Sequence, residues 1–456
     1  MIHLFKRGGL PLVLDVGSGA VHMLDDVSYA LLSQLTEEQL RTEKEPVAAM
    51  TALESAFSHT QLKEALAELR QLAGQGLLFS SDDYSGFQDT LGVAPVKAMC
   101  LHIAHDCNLR CRYCFASTGN FGGSRDMMSF AIAKKAIDLL VELSGNRRNL
   151  EVDFFGGEPL MNFEVVRKTT QYARELEQPH KKNFRFTITT NGIALTDERI
   201  ADINREMGNV VLSIDGRKEI NDAMRPTVNG KGSFDLIVPK FQKLVKERGD
   251  KEYYARGTYT RHNLDFDRDV LELYRLGFKQ ISVEPVVGPD EDEYSIRAQD
   301  IPIIEQSYER LMAELLEGQR AGKKPFNFFH FMVDLENGPC AIKRLKGCGS
   351  GNEYLAVTPD GELYPCHQFV GKEEFLMGSV DTGITNQSLR KTFADANLLH
   401  KSACRDCWAK YFCSGGCNAN NHAFEGSLLT PHKISCELEK IRLECAITLH
   451  AASCQV

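Results

Sequence analysis

Apolar and polar residues alternate in three short stretches at the start of the chain, residues 2–5, 12–16 and 20–24. A period of two predicts strands, and Gly8-Gly9 and Gly17-Ser18-Gly19 stand between them as turns. The period then lengthens. Asp25 or Asp26 can cap a helix reaching Leu35, and Leu62, Leu66 and Leu69 fall on one helical face that stops at Gly74 and Gly76. A last short strand, residues 77–79, predicts a closing hairpin, so residues 1–80 read as a winged-helix-like module. Residues 81–93 are polar and contain glycine, as a linker would be. From residue 94 strand and helix periods alternate. Strands are expected at 99–104, 150–155, 184–189, 210–214, 254–259 and 280–286. Helices are expected at 129–143, 163–176, 196–205, 234–245, 266–276 and 303–319. Six such units predict an α/β fold, a partial (β/α)6 barrel over residues 94–320, with its chemistry on the loops that follow the strands. The aromatic run 326–331 reads as core packing.

Composition narrows the class. The chain has 456 residues, 43% apolar and 25% charged, the profile of a soluble globular protein of several domains. A net charge of −9 gives a nucleic-acid partner no electrostatic support. Residues 1–20 contain no apolar core of signal-peptide length, and no run is long enough to span a membrane. Fourteen cysteines without a secretory signal point to metal binding in a reducing, cytoplasmic setting rather than to disulfides.

Three of these cysteines, Cys107, Cys111 and Cys114, share one eight-residue loop after the first barrel strand. Three thiolates around one centre, without a fourth ligand nearby, leave one iron of a 4Fe-4S cube open. The alternative is a zinc knuckle, although zinc sites mostly use cysteine pairs in even sets. The spacing, with Tyr113 before the last cysteine, resembles the signature of the radical S-adenosylmethionine (SAM) superfamily. That resemblance implies that the open iron chelates SAM and that reduction of its sulfonium releases a 5′-deoxyadenosyl radical. It also implies a use for the other strand ends. Gly156-Gly157-Glu158-Pro159 ends strand two, and its Glu158 would accept from the SAM ammonium. Thr189 and Asn191 end strand three and Ser213 and Asp215 end strand four, where ribose and carboxylate would bind. Arg225 and Arg256 are candidates for a carboxylate or for the substrate. Each of these residues also reads as a cap, a turn or a structural arginine.

Ten cysteines remain beyond residue 338. Cys348, Cys366, Cys404-x2-Cys407-x5-Cys413-x3-Cys417 and Cys436 resemble the SPASM extension of peptide maturases, over residues 321–456. The resemblance implies two auxiliary 4Fe-4S clusters besides the SAM-binding one. Cys404, Cys407, Cys413 and Cys436 would ligate the outer cluster, and Cys348, Cys366 and Cys417 the inner one. Cys340 would either close the inner cluster or leave one iron open to a substrate thiolate. Cys100, Cys445 and Cys454 read as bystanders. Sulfatase maturases carry an Asp after the cysteine matching Cys366, whereas this chain has His367, a conceivable base. With the N-terminal module, the chain looks most like the thioether-forming maturases of six-cysteine (SCIFF) peptides. The partners so implied are a small Cys-rich precursor peptide, its leader bound by the module as an added strand, and a flavodoxin- or ferredoxin-like electron donor. Two roles stay open for the module besides peptide recognition, stabilisation and dimerisation; it lacks the basic stripe of a DNA-binding winged helix. Two other functions stay open for the chain, a different SPASM maturase (sulfatase-type or quinohemoprotein dehydrogenase-type) and a peptide-binding Fe–S electron carrier.

Overall fold

The computed structural model describes residues 1–82, 91–323, 326–335 and 341–454. The first three apolar stretches form β1 (Ile2–Arg7), β2 (Leu10–Asp15) and β3 (Val21–Met23), an antiparallel sheet in that order. Helices Asp26–Leu32, Glu37–Arg41, Val47–Leu53 and His59–Gly74 follow, the first capped by Asp25 and the last by a Ser58–Gln61 capping box. Alternation gives the sheet two apolar faces. Val13 packs with Leu31, Leu62, Leu66 and Leu69 of the helices. Phe5, Leu12 and Leu14 face the other way, onto Ile447 and Phe412 near the end of the chain. Residues 77–79 are not a strand. Phe79 turns into the left-handed region (φ 53°), and Leu78 is buried among the helices. The module is therefore three strands followed by helices, without the closing hairpin.

The barrel strands are β4 (Ala98–Ala104), β5 (Asn149–Gly156), β6 (Asn183–Thr190), β7 (Asn209–Ser213), β8 (Glu252–Tyr259) and β9 (Gln280–Pro285). They are parallel neighbours in sequence order, joined by helices such as Phe130–Leu143, Phe163–His180 and Asp197–Glu206. Each amphipathic helix covers the sheet with its apolar face, which is how a parallel sheet is buried.

The sheet does not stop at either predicted boundary. Beyond β9 it gains β10 (Asn327–Phe328), so residue 321 does not end the barrel sheet. Phe326, Phe328 and Phe331 are buried core side chains, while Phe329 is half exposed. Beyond β4 it gains β11 (Tyr354–Val357), parallel to β4 with Tyr354 opposite Ala98. The antiparallel strands β12 (Glu362–Tyr364), β13 (Gly378–Ser379) and β14 (Gly383–Ile384) continue it. One eleven-stranded sheet thus carries the barrel into the cysteine-rich segment. The final helix, Lys433–Ser453, packs along helix Ile301–Arg320 and touches β1 and β3. Arg7 of β1 fastens this junction, with Nη1 2.5 Å from Glu305 and 2.6 Å from Glu309, and Nε 2.7 Å from Glu444. Among the described residues no helix is long and apolar enough to cross a membrane.

Candidate functional site

The loop after β4 is held by backbone bonds to a distant segment. Arg110 N–H donates to Pro226 O (2.8 Å) and Arg112 N–H to Met224 O (2.9 Å). This fixes Cys107, Cys111 and Cys114 on the wall of a cavity of about 730 Å³ at the C-terminal end of the sheet. β5 ends beside them. Gly157 donates its N–H to Ala104 O (2.7 Å), and a Cβ there would collide with the Asp106 carbonyl, so only glycine lets the two loops pass this closely.

Glu158 lines the cavity but is almost wholly buried. Its Oε1 accepts from Thr190 Oγ1 (2.7 Å) and Leu160 N–H (3.0 Å), and its Oε2 from Asn191 N–H (2.8 Å). Burial pushes its carboxyl up to about 7, against the effect of those donors. Thr189, Asn191, Ser213, Arg225 and Arg256 also line the cavity, as do Tyr113, Gly156 and Gly157. Asp215 departs from the sequence expectation. It is wholly buried behind the wall, where it accepts from Tyr113 Oη (2.8 and 2.7 Å) and Thr258 N–H (2.9 Å). Its Oδ2 also lies 3.0 Å from Arg225 Nε, an ion-pair contact off the angle of a hydrogen bond. Asp215 therefore orients two lining residues and does not itself face the cavity.

The cavity is also lined from the cysteine-rich segment, by Gln368, Cys413, Cys417, Cys436, Glu439 and Arg442. His367 also lines the cavity, with its ring 5.1 Å from that of Phe155 and 5.3 Å from that of Phe115. Burial and the charge of Arg256 lower its pKa to about 4. Sequence reasoning missed Glu284, Glu439 and Arg442. Arg442 Nη1 lies 2.9 Å from His330 Nδ1 and pairs with Glu439, while Arg256 Nη2 is 3.5 Å from Glu284. No local motif marks them: Glu284 lies on β9, and Glu439 and Arg442 lie on the final helix.

Thirteen cysteines among the described residues are free. Burial raises Cys107 to about 12 and Cys111 to about 11, with further contributions from neighbouring thiols. The distal cysteines fall into two groups by their mutual charge effects. Cys366, raised to about 12 by burial, is further raised by Cys417 and Cys348. Cys404, raised to about 11, is further raised by Cys413 and Cys407, and Cys436 by Cys404 and Cys407. Each set gathers thiols close enough to act on one another's charge, the donor chemistry a thiolate-ligated cluster takes. Cys340 lies outside the described residues. Cys100 and Cys445 are buried and Cys454 is exposed.

The sequence profile of the Radical SAM superfamily matches residues 101–297, and that of the SPASM iron-sulfur cluster-binding domain matches residues 348–408. The chain is 39% identical over 278 residues to an uncharacterised protein of Methanocaldococcus jannaschii, covering 60% of this chain and 86% of that one. It is 26% identical over 335 residues to the cysteine-type anaerobic sulfatase-maturating enzyme of Clostridium novyi, covering 69% of this chain and 86% of the enzyme. The structure of Streptococcus suis SuiB bound to its precursor peptide SuiA shares the fold, with a TM-score of 0.52 and 15% identity. That match covers 95% of this chain and 98% of SuiB.

Proposed function

The chain belongs to the radical SAM superfamily and carries a SPASM domain, and from this we propose that it matures a ribosomally made, Cys-rich precursor peptide by forming cysteine thioether crosslinks. The observation that carries the reading is the shared cavity, lined both by the three-cysteine loop and by Cys413, Cys417 and Cys436 of the distal sets. Cys107, Cys111 and Cys114 would hold the SAM-binding 4Fe-4S cluster. Cys404, Cys407, Cys413 and Cys436 would hold the outer auxiliary cluster, and Cys348, Cys366 and Cys417 the inner one, with Cys340 as its fourth ligand or an iron left for the substrate thiolate. When bound, SAM and its cluster supply hydrogen-atom abstraction from an unactivated carbon.

The chain's own residues position and exclude. Asp215 locks Tyr113 and Arg225 beside the cysteine loop, and Phe115, Phe155 and Val286 give the cavity an apolar part of its lining. His367, its pKa lowered to about 4, is too weak a base to take a proton from a substrate thiol, so it would act in the cavity lining rather than as the base the sequence suggests. The leader would add to the β1–β3 sheet as a further strand. Leu24 N–H bonds Pro11 O and Asp15 N–H bonds Ala20 O, so alternation turns the backbone groups of Val21 outward along β3. A flavodoxin- or ferredoxin-like donor would deliver electrons. The sulfatase-maturase reading has the C. novyi relative in its favour, but the position after Cys366 is His367 rather than Asp.

Mass spectrometry of a co-expressed Cys-rich peptide tests the reading. Each crosslink removes two hydrogen atoms, keeps all sulfur and leaves one thiol fewer to alkylate. A product that loses sulfur to an aldehyde would instead assign a sulfatase-type reaction. Glu158 gives a second expectation. Its carboxyl is raised from 4.5 to about 7 in the free protein. An ammonium-bearing ligand beside it favours the carboxylate, so SAM binding should release a proton below about pH 7 and tighten from pH 6 to 8. Calorimetry in buffers of different ionisation enthalpy reads that proton. Equal proton release by a Glu158→Gln variant would dissociate Glu158 from the ligand.

A further inference from the structure

Lys401 has only 1% of its surface exposed, although it is a lysine. Its ammonium donates to Gly415 O (2.8 Å) and Asn418 Oδ1 (3.0 Å), both neutral acceptors. The site is built for it. Gly415 has φ +83°, and a Cβ there would stand 2.7 Å from Lys401 Cδ. Among the described residues no carboxylate forms an ion pair with Lys401; the acids that act on its charge are Cys404, Cys348, Cys413 and Cys417. Those four come from both distal cysteine groups. A buried ammonium without a counter-anion is costly, and it is normally retained only when paired. Ligating thiolates would supply the missing negative charge. The same side chain ties the segment before Cys404 to the loop that bears Cys413 and Cys417.

We propose that Lys401 is the buried counter-charge shared by the two auxiliary cluster sites, and that it raises their reduction potentials. This rests on the assignment of the distal cysteines as cluster ligands. No bond is made or broken. One-electron reduction adds a negative charge to a cluster, and a fixed cation nearby favours the reduced state.

The test uses the full chain carrying Cys107→Ala, Cys111→Ala and Cys114→Ala, reconstituted anaerobically so that EPR sees auxiliary clusters alone. Lys401→Gln keeps a donor and removes the charge. Asn418→Asp leaves Lys401 in place and neutralises it with a neighbouring carboxylate. Each is expected to lower the ratio of reduced to oxidised cluster about tenfold at a fixed poise, about 59 mV for a one-electron couple, with iron content unchanged. Ratios within twofold of the parent in both variants would overturn the proposal. So would a Lys401→Gln defect confined to iron loss while Asn418→Asp titrates like the parent, since that makes Lys401 a scaffold only. A parent that binds no auxiliary iron would overturn the ligand assignment and this inference with it. A failure confined to the Lys401 and Asn418 variants leaves that assignment standing.

Discussion

Replacing Cys107, Cys111 and Cys114 together by Ala is expected to abolish cleavage of SAM to 5′-deoxyadenosine and to lower bound iron from about twelve to about eight atoms per chain, four for each cluster. The loop should keep its place. Its backbone is fastened to Met224 and Pro226 through Arg112 and Arg110, and Tyr113 remains bonded to Asp215. The thiols take no part in these anchors, so the loss should be chemical and not conformational. Anaerobic iron analysis and chromatographic detection of 5′-deoxyadenosine check the two halves separately. Cleavage that persists in the triple variant would remove the loop from the reaction.

Asp215→Ala is expected to cost about 3–5 kcal/mol of stability, the usual range for removing one partner of a buried ion pair. Arg225, which Asp215 contacts at 3.0 Å, would be left as a buried cation, and Tyr113 Oη and Thr258 N–H would lose their acceptor. In an Arg225→Met background the same change should cost markedly less, because no cation is stranded. Denaturant titrations of the four proteins measure the difference. A loss below about 1 kcal/mol in the parent would show that the pair is not the clamp described above.

The strands of the barrel were legible because each is a short apolar run framed by turns and separated from the next by a helix-length amphipathic segment. The cysteine loop was legible because its spacing is chemistry written in consecutive residues. What escaped was pairing at long range. β11 lies beside β4 although some 250 residues separate them, and nothing in the period of Tyr354–Val357 announces that partner. Asp215 was misjudged for a related reason. An acid at a strand end reads the same whether it faces the cavity or turns behind it to hold Tyr113, and only the third dimension separates the two. Residues 77–79 have strand-like composition, but Leu78 is claimed by the helical core of the module and Phe79 by a left-handed turn. Glu439 and Arg442 reach the cavity from the last helix of the chain, where sequence offers a face but no destination.

The docking of β1 against the cysteine-rich region has an optical consequence. The chain contains a single tryptophan, Trp408, the residue after Cys407. Its indole lies on the His3 ring, 3.8 Å between centroids and 4° from parallel, and His3 in turn meets Glu444 at 2.9 Å. All tryptophan emission therefore originates at the point where the first strand meets the outer cysteine set. An iron–sulfur chromophore bound beside Cys407 would quench it by energy transfer, and departure of the first strand would expose the indole to water and shift its emission to the red. Cluster loading and strand release thus have distinct spectral signatures, one dimming and the other moving the band. The unlabelled protein can be followed through both in a cuvette.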